Sequence, residues 1–450
     1  MKKLVTVLLI GVLSVSFVFA GGGGQSNAGK TNLTLYTWWG GGEAAFGEAL
    51  VADFEASHPN IKVERSFGGT DYDAKINTMI AAGNTPDVFQ VNEDRVVDWG
   101  EKGVGADLNP FFAQMGIKPE DYYLDNYRFT SGGHLWGIAT NPTVLVLWYN
   151  RDLFRQAGVA EPPASAANPW TWDQYVAAAK KLTKDSNGRT PNDAGFNYDA
   201  VTQWGTVMPT GNYVYWMPLL YSAGTSVANE NGTALALNSP AGAKVFQAMY
   251  NLSTVDKAAP SYAVTISNTF SNQSAMLMNG QIAMYIGGGW QLADFLNEDF
   301  DVGITSVPTF SNKGVNMTWG AGFMMKKSGS QESFQLYEFM VNYTNWINAS
   351  KNRKVTIPGA IATTRGAYND SSLNATWLQL LNPNAIKVYG DIVQNAARLG
   401  ENVTLKNFPE IMGQIINPGL QKVWMGEETV DQSLRAINGQ LNGKFQGAWK

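Results

Sequence analysis

The sequence predicts an α/β protein of two or three domains, and three observations carry that reading. Strand and helix patterns alternate strictly over the first part of the chain, residues 33–91, as βαβαβ, which implies an open and mostly parallel sheet. Residues 144–149, Val-Leu-Val-Leu-Trp-Tyr, form an unbroken apolar run of the kind buried on both faces in the middle of a parallel sheet. At 450 residues the chain is longer than one hydrophobic core supports.

The elements follow in order. Residues 33–37 alternate apolar and polar and end at Trp38-Trp39-Gly40-Gly41-Gly42. A helix over 43–57 places Phe46, Leu50 and Phe54 on one face and stops at His58-Pro59. A strand at 61–67, a helix at 72–82 closed by Gly83 and a strand at 87–91 complete the unit. Ligands of such sheets bind beyond the carboxyl ends of the strands, which points at Trp38, Trp39 and residues 92–95. The stretch 132–154 reads as the place where one lobe ends and another begins, with Pro142 just before the apolar run. Thr171-Trp-Asp-Gln174 is a capping box opening a helix through 184. The loop-rich region 185–215 follows, and Ser239-Pro240 opens a further helix with Val245, Met249 and Leu252 on its apolar face. A strand at 281–286 runs into Gly287-Gly288-Gly289-Trp290, and another strand spans 301–310. A helix is predicted over 331–347, a loop-like crossing at 357–363, and a last helix that carries Val430, Leu434, Ile437 and Leu441.

Composition narrows the function. The chain has no cysteine and two histidines, His58 and His134, which excludes disulfides and thiol nucleophiles and leaves little for a metal site or a Ser-His-Asp triad. Fifteen Trp, 18 Tyr and 21 Phe exceed what a core of this size requires and suit a ligand cleft. The first 20 residues read as a secretory signal cleaved after Ala20: Lys2 and Lys3, an apolar run, then a small-x-Ala site. The protein is therefore expected to be exported, periplasmic or cell-surface associated. Loss of the two lysines takes the net charge from −5 to −7, which argues against a nucleic acid partner. Residues 24–31, GQSNAGKT, match the P-loop pattern, but a P-loop needs a helix to start at the Lys-Thr, and a strand pattern follows instead. Residues 21–31 are read as a flexible linker.

Seven of these stretches resemble, in order, the family 1 extracellular solute-binding proteins, the sugar-binding subunits of bacterial ABC importers. They are the strand ending in Trp38-Trp39, FEASHPNIKV (54–63), AAGNTPDVFQ (81–90), LWYNRDLFRQAG (147–158) with TWDQY (171–175), NGQIAMYIGGGW (279–290), GITSVPTF (303–310) and GEETVDQSL (426–434). The resemblance implies a periplasmic binding protein fold, α/β, with two lobes, a hinge of three crossings and a ligand cleft between them. On that reading residues 32–140 plus 306–360 form the N-terminal lobe and 141–305 plus 361–450 the C-terminal lobe, with crossings near 139–143, 305–309 and 358–363. It implies a monomeric binding protein without cofactor or metal, whose partners are a carbohydrate and the membrane permease subunits of an ABC importer.

The resemblance also suggests site residues. Asp94-Arg95 falls where maltose-type members carry an Asp-Arg pair that grips sugar hydroxyls, with Glu93 beside it. Trp290 matches a Trp that stacks on a sugar ring after a glycine-rich strand end. Trp38 and Trp39 flank the expected cleft, one facing the ligand and the other the lobe, with Glu43 in the same loop. Tyr213 and Trp216 lie near a segment that carries an acid and an aromatic in those members. Thr143 stands where they have a carboxylate, so the ligand is expected to differ from maltose. Trp319, Asp71 and Arg365 complete the candidates. The competing expectation is an exported glycoside hydrolase that uses two of Glu43, Asp71, Glu93 and Asp94, with carboxyl groups ~5 to 9.5 Å apart.

Overall fold

The computed structural model describes residues 29–40, 43–68, 71–123, 127–210, 213–267, 272–291, 294–295, 300–311, 314–355, 357, 364, 391–392 and 397–449. Residues 141–143, 318–319 and 397–399 are described by their backbone alone. The expected signal segment 1–20, most of the linker and the crossing at 358–363 lie outside these residues.

The first unit forms as the periodicity dictates. Strand β1 (Thr31–Thr37) pairs in parallel with β2 (Ile61–Phe67) and β3 (Val88–Val91), and the helices Ala44–Ser57 and Tyr72–Ala81 connect them. Strand β1 begins on Thr31, so no helix starts at Lys30-Thr31 and the P-loop geometry does not form. Strand β4 (Arg128–Ser131) leads into β5 (His134–Asn150), 17 residues long. A two-stranded ribbon, β6 (Lys184–Asp185) and β7 (Val201–Gln203), interrupts the loop-rich region. Strands β8 (Met284–Gly288), β9 (Val302–Thr305), β10 (Asn316–Met325) and β11 (Ala397–Leu399) complete the sheet, in the order β2-β1-β3-β10-β5-β4 with β8 and β9 on β5 and β11 on β10.

Strand β5 is the axis of the molecule. Its first half pairs with β4 and β10, and its second half, from Leu145, pairs with β8 and β9. Val144, Val146 and Trp148 enter one apolar cluster while Leu145, Leu147 and Tyr149 enter another, the alternation a strand imposes on its two faces. The expectation of a strand buried on both faces holds. All its neighbours, however, run antiparallel, a difference an apolar run cannot reveal because burial and direction are independent.

The apolar clusters divide along the same line. Leu33, Leu35, Leu50, Ile138, Phe323 and Met325 share one core, whereas Leu145, Trp172, Leu220, Val307 and Met317 share another. Strand β10 therefore has Met317 in one cluster and Phe323 in the other. Phe310 stacks on Trp172 at 5.1 Å, so the stretch after 306 packs with residues assigned above to the C-terminal lobe.

Local signals held where capping chemistry was explicit. Thr171 and Ser239 cap the helices Trp172–Leu182 and Pro240–Thr254, and Val430, Leu434, Ile437 and Leu441 line the buried face of Val430–Leu441. The helix predicted over 331–347 is two helices, Gln331–Val341 and Tyr343–Arg353. Extended backbone at Asn342 breaks it, and the Asn342 side chain caps the second helix by accepting from the Thr344 N–H.

Asp87 fastens this half together. Its carboxylate accepts from the Thr34 N–H (2.8 Å) and hydroxyl (2.7 Å), from Ser333 (3.3 Å), and pairs with Lys326 (2.8 Å). Burial alone would raise its pKa, but the bonds from Lys326 and Thr34 outweigh it and hold the carboxyl below the ordinary value of 3.8. A depressed carboxylate stabilises the fold above its unfolded pKa, and the contribution is lost as pH falls through the folded value. Asp87→Asn is thus expected to cost about 1–3 kcal/mol in urea unfolding at pH 7 and markedly less near pH 2. An equal loss at both pH values would contradict this role.

Candidate functional site

The carboxyl ends of β1, β2 and β3 bring one set of side chains to a single edge of the sheet. Trp38, just past β1, is half-buried and meets Tyr72 edge-on at 5.3 Å, and its N–H donates to Gln90 Oε1 at 3.0 Å. Tyr72 stacks on Tyr36 at 4.7 Å, and its hydroxyl donates to the Gln90 carbonyl at 2.6 Å. Past β3, Asn92 Nδ2 donates to Asp73 at 3.2 Å, and the helix Glu93–Glu101 begins.

At that helix start lies a dense charge cluster. Arg95 Nη2 is 3.3 Å from Asp73 and Nε is 3.9 Å from Asp94, with the guanidinium carbon 5.8 Å from the Trp99 ring centre. The expected Asp94-Arg95 pair is therefore shared with Asp73. Glu93 is buried and accepts from Asn402 Nδ2 at 2.9 Å. Burial and the adjacent Asp94 push the Glu93 carboxyl up to about 8. Burial also lifts Asp94, to about 6, against the pull of Arg95. Tyr213 packs edge-on against Phe408 at 4.9 Å, and burial together with Asp94 and Glu93 raises its hydroxyl pKa, so it faces the same cluster. Such a group of acceptors, one planar cation and one phenol can hold a polyol.

Other candidates are distributed more widely. Trp290 is 42% exposed and its ring lies over Gly288 at the end of β8, where any Cβ would collide with it, so the glycine is required for this close approach. Glu43 stands at the start of helix Ala44–Ser57 without making a capping bond. Desolvation raises its pKa and Asp294, beyond β8, adds to the effect. Asp71 is exposed at the start of helix Tyr72–Ala81, again without a capping bond. Thr143 and Trp319 are directly opposed in the β5–β10 ladder. Arg365 lies outside the described residues.

Burial sets two of the candidates apart from the rest. Trp39 is fully buried, edge-on to Phe46 and Trp346 at 5.3 Å and Phe323 at 5.7 Å, so it belongs to the core and Trp38 is the outward member of the pair. Trp216 is likewise buried, against Phe246 at 5.4 Å, at the start of the run 216–222 that is buried throughout the helix Tyr213–Ser222. Sequence reasoning missed Asn402, Asp73 and Tyr72 in the cluster. It also missed Phe67, whose ring is 53% exposed and covers Gly40 beside the tryptophans. The Asp-Tyr-Asp at 71–73, separated by three residues from a predicted strand end, was a usable signal for two of them, whereas nothing in the sequence singles out Asn402.

An α/β architecture of two packed cores sharing a central strand, with polar and aromatic groups at the carboxyl-end edge, is that of a periplasmic-type binding protein. Residues 39–345 match the model of the bacterial extracellular solute-binding proteins, and the chain belongs to that family. It is 27% identical over 318 residues to an uncharacterized ABC transporter extracellular-binding protein of Pyrococcus horikoshii, a match that spans 64% of each chain. It is 24% identical over 352 residues to the sn-glycerol-3-phosphate-binding periplasmic protein of Agrobacterium fabrum, covering 75% of this chain and 76% of that one. Its fold is similar to an ABC substrate-binding protein from Listeria monocytogenes in complex with cycloalternan, with a TM-score of 0.77 and 26% identity, covering 92% of this chain and 99% of that one. These relatives are binding proteins, and the family is extracellular. No helix of the described residues is long and apolar enough to cross a membrane, and no group of three His, Cys, Asp or Glu among them could hold a metal ion.

Proposed function

We propose that the chain captures a mono- or oligosaccharide between two closing lobes and delivers it to the permease of an ABC importer, as a monomer exported by a signal peptide cleaved after Ala20. The observation that carries the reading is the carboxyl-end edge itself, where half-buried Trp38 follows β1 and the Asp94-Arg95-Asp73 cluster follows β3, with the exposed Trp290 past β8 as a further aromatic. Aromatic faces cover the apolar face of a sugar ring while charged groups bind its hydroxyls. The ligand-binding residues are Trp38, Asp94, Arg95, Tyr213 and Trp290, with Glu43, Asp71, Glu93, Thr143 and Trp319 as further candidates and Arg365, outside the described residues, a candidate by the resemblance alone. The lobes meet at β5 near 139–143, and we place the second crossing within β10, between Met317 and Phe323, because those residues lie in different cores. Closure follows from contacts a ligand makes to both lobes at once.

Anionic solutes fit less well: Asp71, Asp73 and Asp94 outnumber the cations Arg95 and Lys75 at the described edge. Titration of neutral saccharides, among them maltotriose and cycloalternan, with sn-glycerol 3-phosphate alongside, should quench Trp fluorescence saturably for one saccharide class with no product formed. Binding of the phosphate ester alone, or turnover of chromogenic glycosides, would overturn the assignment.

A further inference from the structure

The helix Glu93–Glu101 and the segment from Glu401 to Ile411 run alongside each other between the two cores. Val403 packs into the cluster of Val96 and Val97, while Leu405, Phe408 and Ile411 belong to the cluster of Trp172 and Leu220. The chain end is tied to this segment: the Trp449 N–H donates to the Thr404 carbonyl at 2.8 Å, and Lys406 lies 4.6 Å from the Trp449 ring centre. One end of the contact is the Glu93–Asn402 bond, and the other is Lys102 with Glu410 at 3.8 Å. Glu93 sits directly past β3, on the carboxyl-end side where the ligand cleft is expected.

At this contact the buried Asp94 Oδ1 has no hydrogen-bond partner among the described residues, and Asn402, besides donating to Glu93, bonds with the Tyr213 hydroxyl. A buried carboxylate oxygen in that condition is costly and persists where the surroundings impose it. We propose that Glu93 and Asn402 are a positioning pair that forms when the lobes close, so that closure takes up a proton at Glu93. The inference rests on the two-lobe reading given above.

The groups facing Glu93 set the sign. Asp94 and Arg95 lie on its own helix, Asp73 on the helix Tyr72–Ala81, Tyr213 on the helix Tyr213–Ser222, and Asn402 on Glu401–Thr404, with Glu410 acting on Asp94. Asp94 and Asp73 oppose a charge on Glu93, the bonds from Asn402 and from its own backbone N–H favour one, and burial outweighs them. In the contact, burial and then Asp94 raise the Glu93 carboxyl to about 8, whereas a carboxyl released to water returns to its ordinary value of 4.5. The closed form therefore binds the extra proton. Closure is fully favoured below the released value and is lost as pH rises toward the closed value, by up to about tenfold in the closed-to-open ratio per pH unit.

The cysteine-free chain makes the test direct. Asn60→Cys and Gln156→Cys, both exposed, carry a dye pair, and transfer efficiency is read at pH 5 and pH 8.5 without ligand. The ligand-free protein should shift toward lower efficiency at pH 8.5. Glu93→Gln keeps an acceptor oxygen for Asn402 and should hold the pH 5 efficiency at both pH values, while Asn402→Ala should lower the efficiency at pH 5. Equal efficiencies for the labelled parent at the two pH values, or an undiminished pH response in Glu93→Gln, would overturn the proposal. The parent pH series decides alone if a variant fails to fold. Because no saccharide is added, a failed saccharide screen would sink the proposed function and leave this measurement readable.

Discussion

Trp39→Ala is expected to cost about 3–5 kcal/mol of stability, the range for removing a large aromatic from a packed core. Its ring is enclosed by Phe46, Phe323 and Trp346, which join the first helix, β10 and the helix Tyr343–Arg353, so the cavity opens where three distant segments meet. Trp38→Ala, one residue earlier, removes a half-buried ring that packs at the edge of that core and should cost clearly less stability than Trp39→Ala while weakening ligand binding. Urea unfolding of the two variants separates them, and a Trp38→Ala that unfolds as early as Trp39→Ala would contradict the division of labour within the pair.

Trp290→Ala should weaken saccharide binding by at least ~1 kcal/mol, about fivefold or more in Kd, the scale of an aromatic stacking contact. Since the ring is 42% exposed, little core is lost and the unfolding midpoint should hardly move. Gly288→Ala is the companion variant: a methyl there meets the Trp290 ring, so the indole must leave its position and affinity should drop with the indole still present. Calorimetric titration with the saccharide that binds the parent checks both. Unchanged affinity in Trp290→Ala would remove that residue from the site.

What the sequence disclosed was local. The βαβαβ unit, the capped helices at Thr171 and Ser239, and the both-face burial of 144–149 depend on periodicity and on side chains within four residues, and they formed with small shifts at their ends. The direction of the strands around β5 was not legible, since it depends on where β8, β9 and β10 return after more than a hundred residues. Which tryptophan of the pair faces outward was likewise decided by Phe323 and Trp346, some three hundred residues away. The burial of Trp216 comes from elements such as the helix of Phe246 that cover residues 216–222 on every side, which nothing in the local sequence reveals.

The candidate site shows the same division. Asp94 and Arg95 were found at the expected strand end, but the Asp73 that competes for the guanidinium and the Asn402 that caps the buried Glu93 come from other elements. Tertiary placement makes those contacts, and no spacing rule in the chain encodes them. Thr143 and Trp319 had no visible relation in the sequence, yet they are opposed residues of one ladder, that of β5 and β10.

The central claim is that a saccharide closes the two lobes around itself. Small-angle scattering of the protein with and without the saccharide that quenches its Trp fluorescence tests it most directly. The account predicts a fall in the radius of gyration at saturation, with the saccharide recovered unchanged. Saturable binding with no decrease in radius, or recovery of hydrolysed sugar, would contradict it.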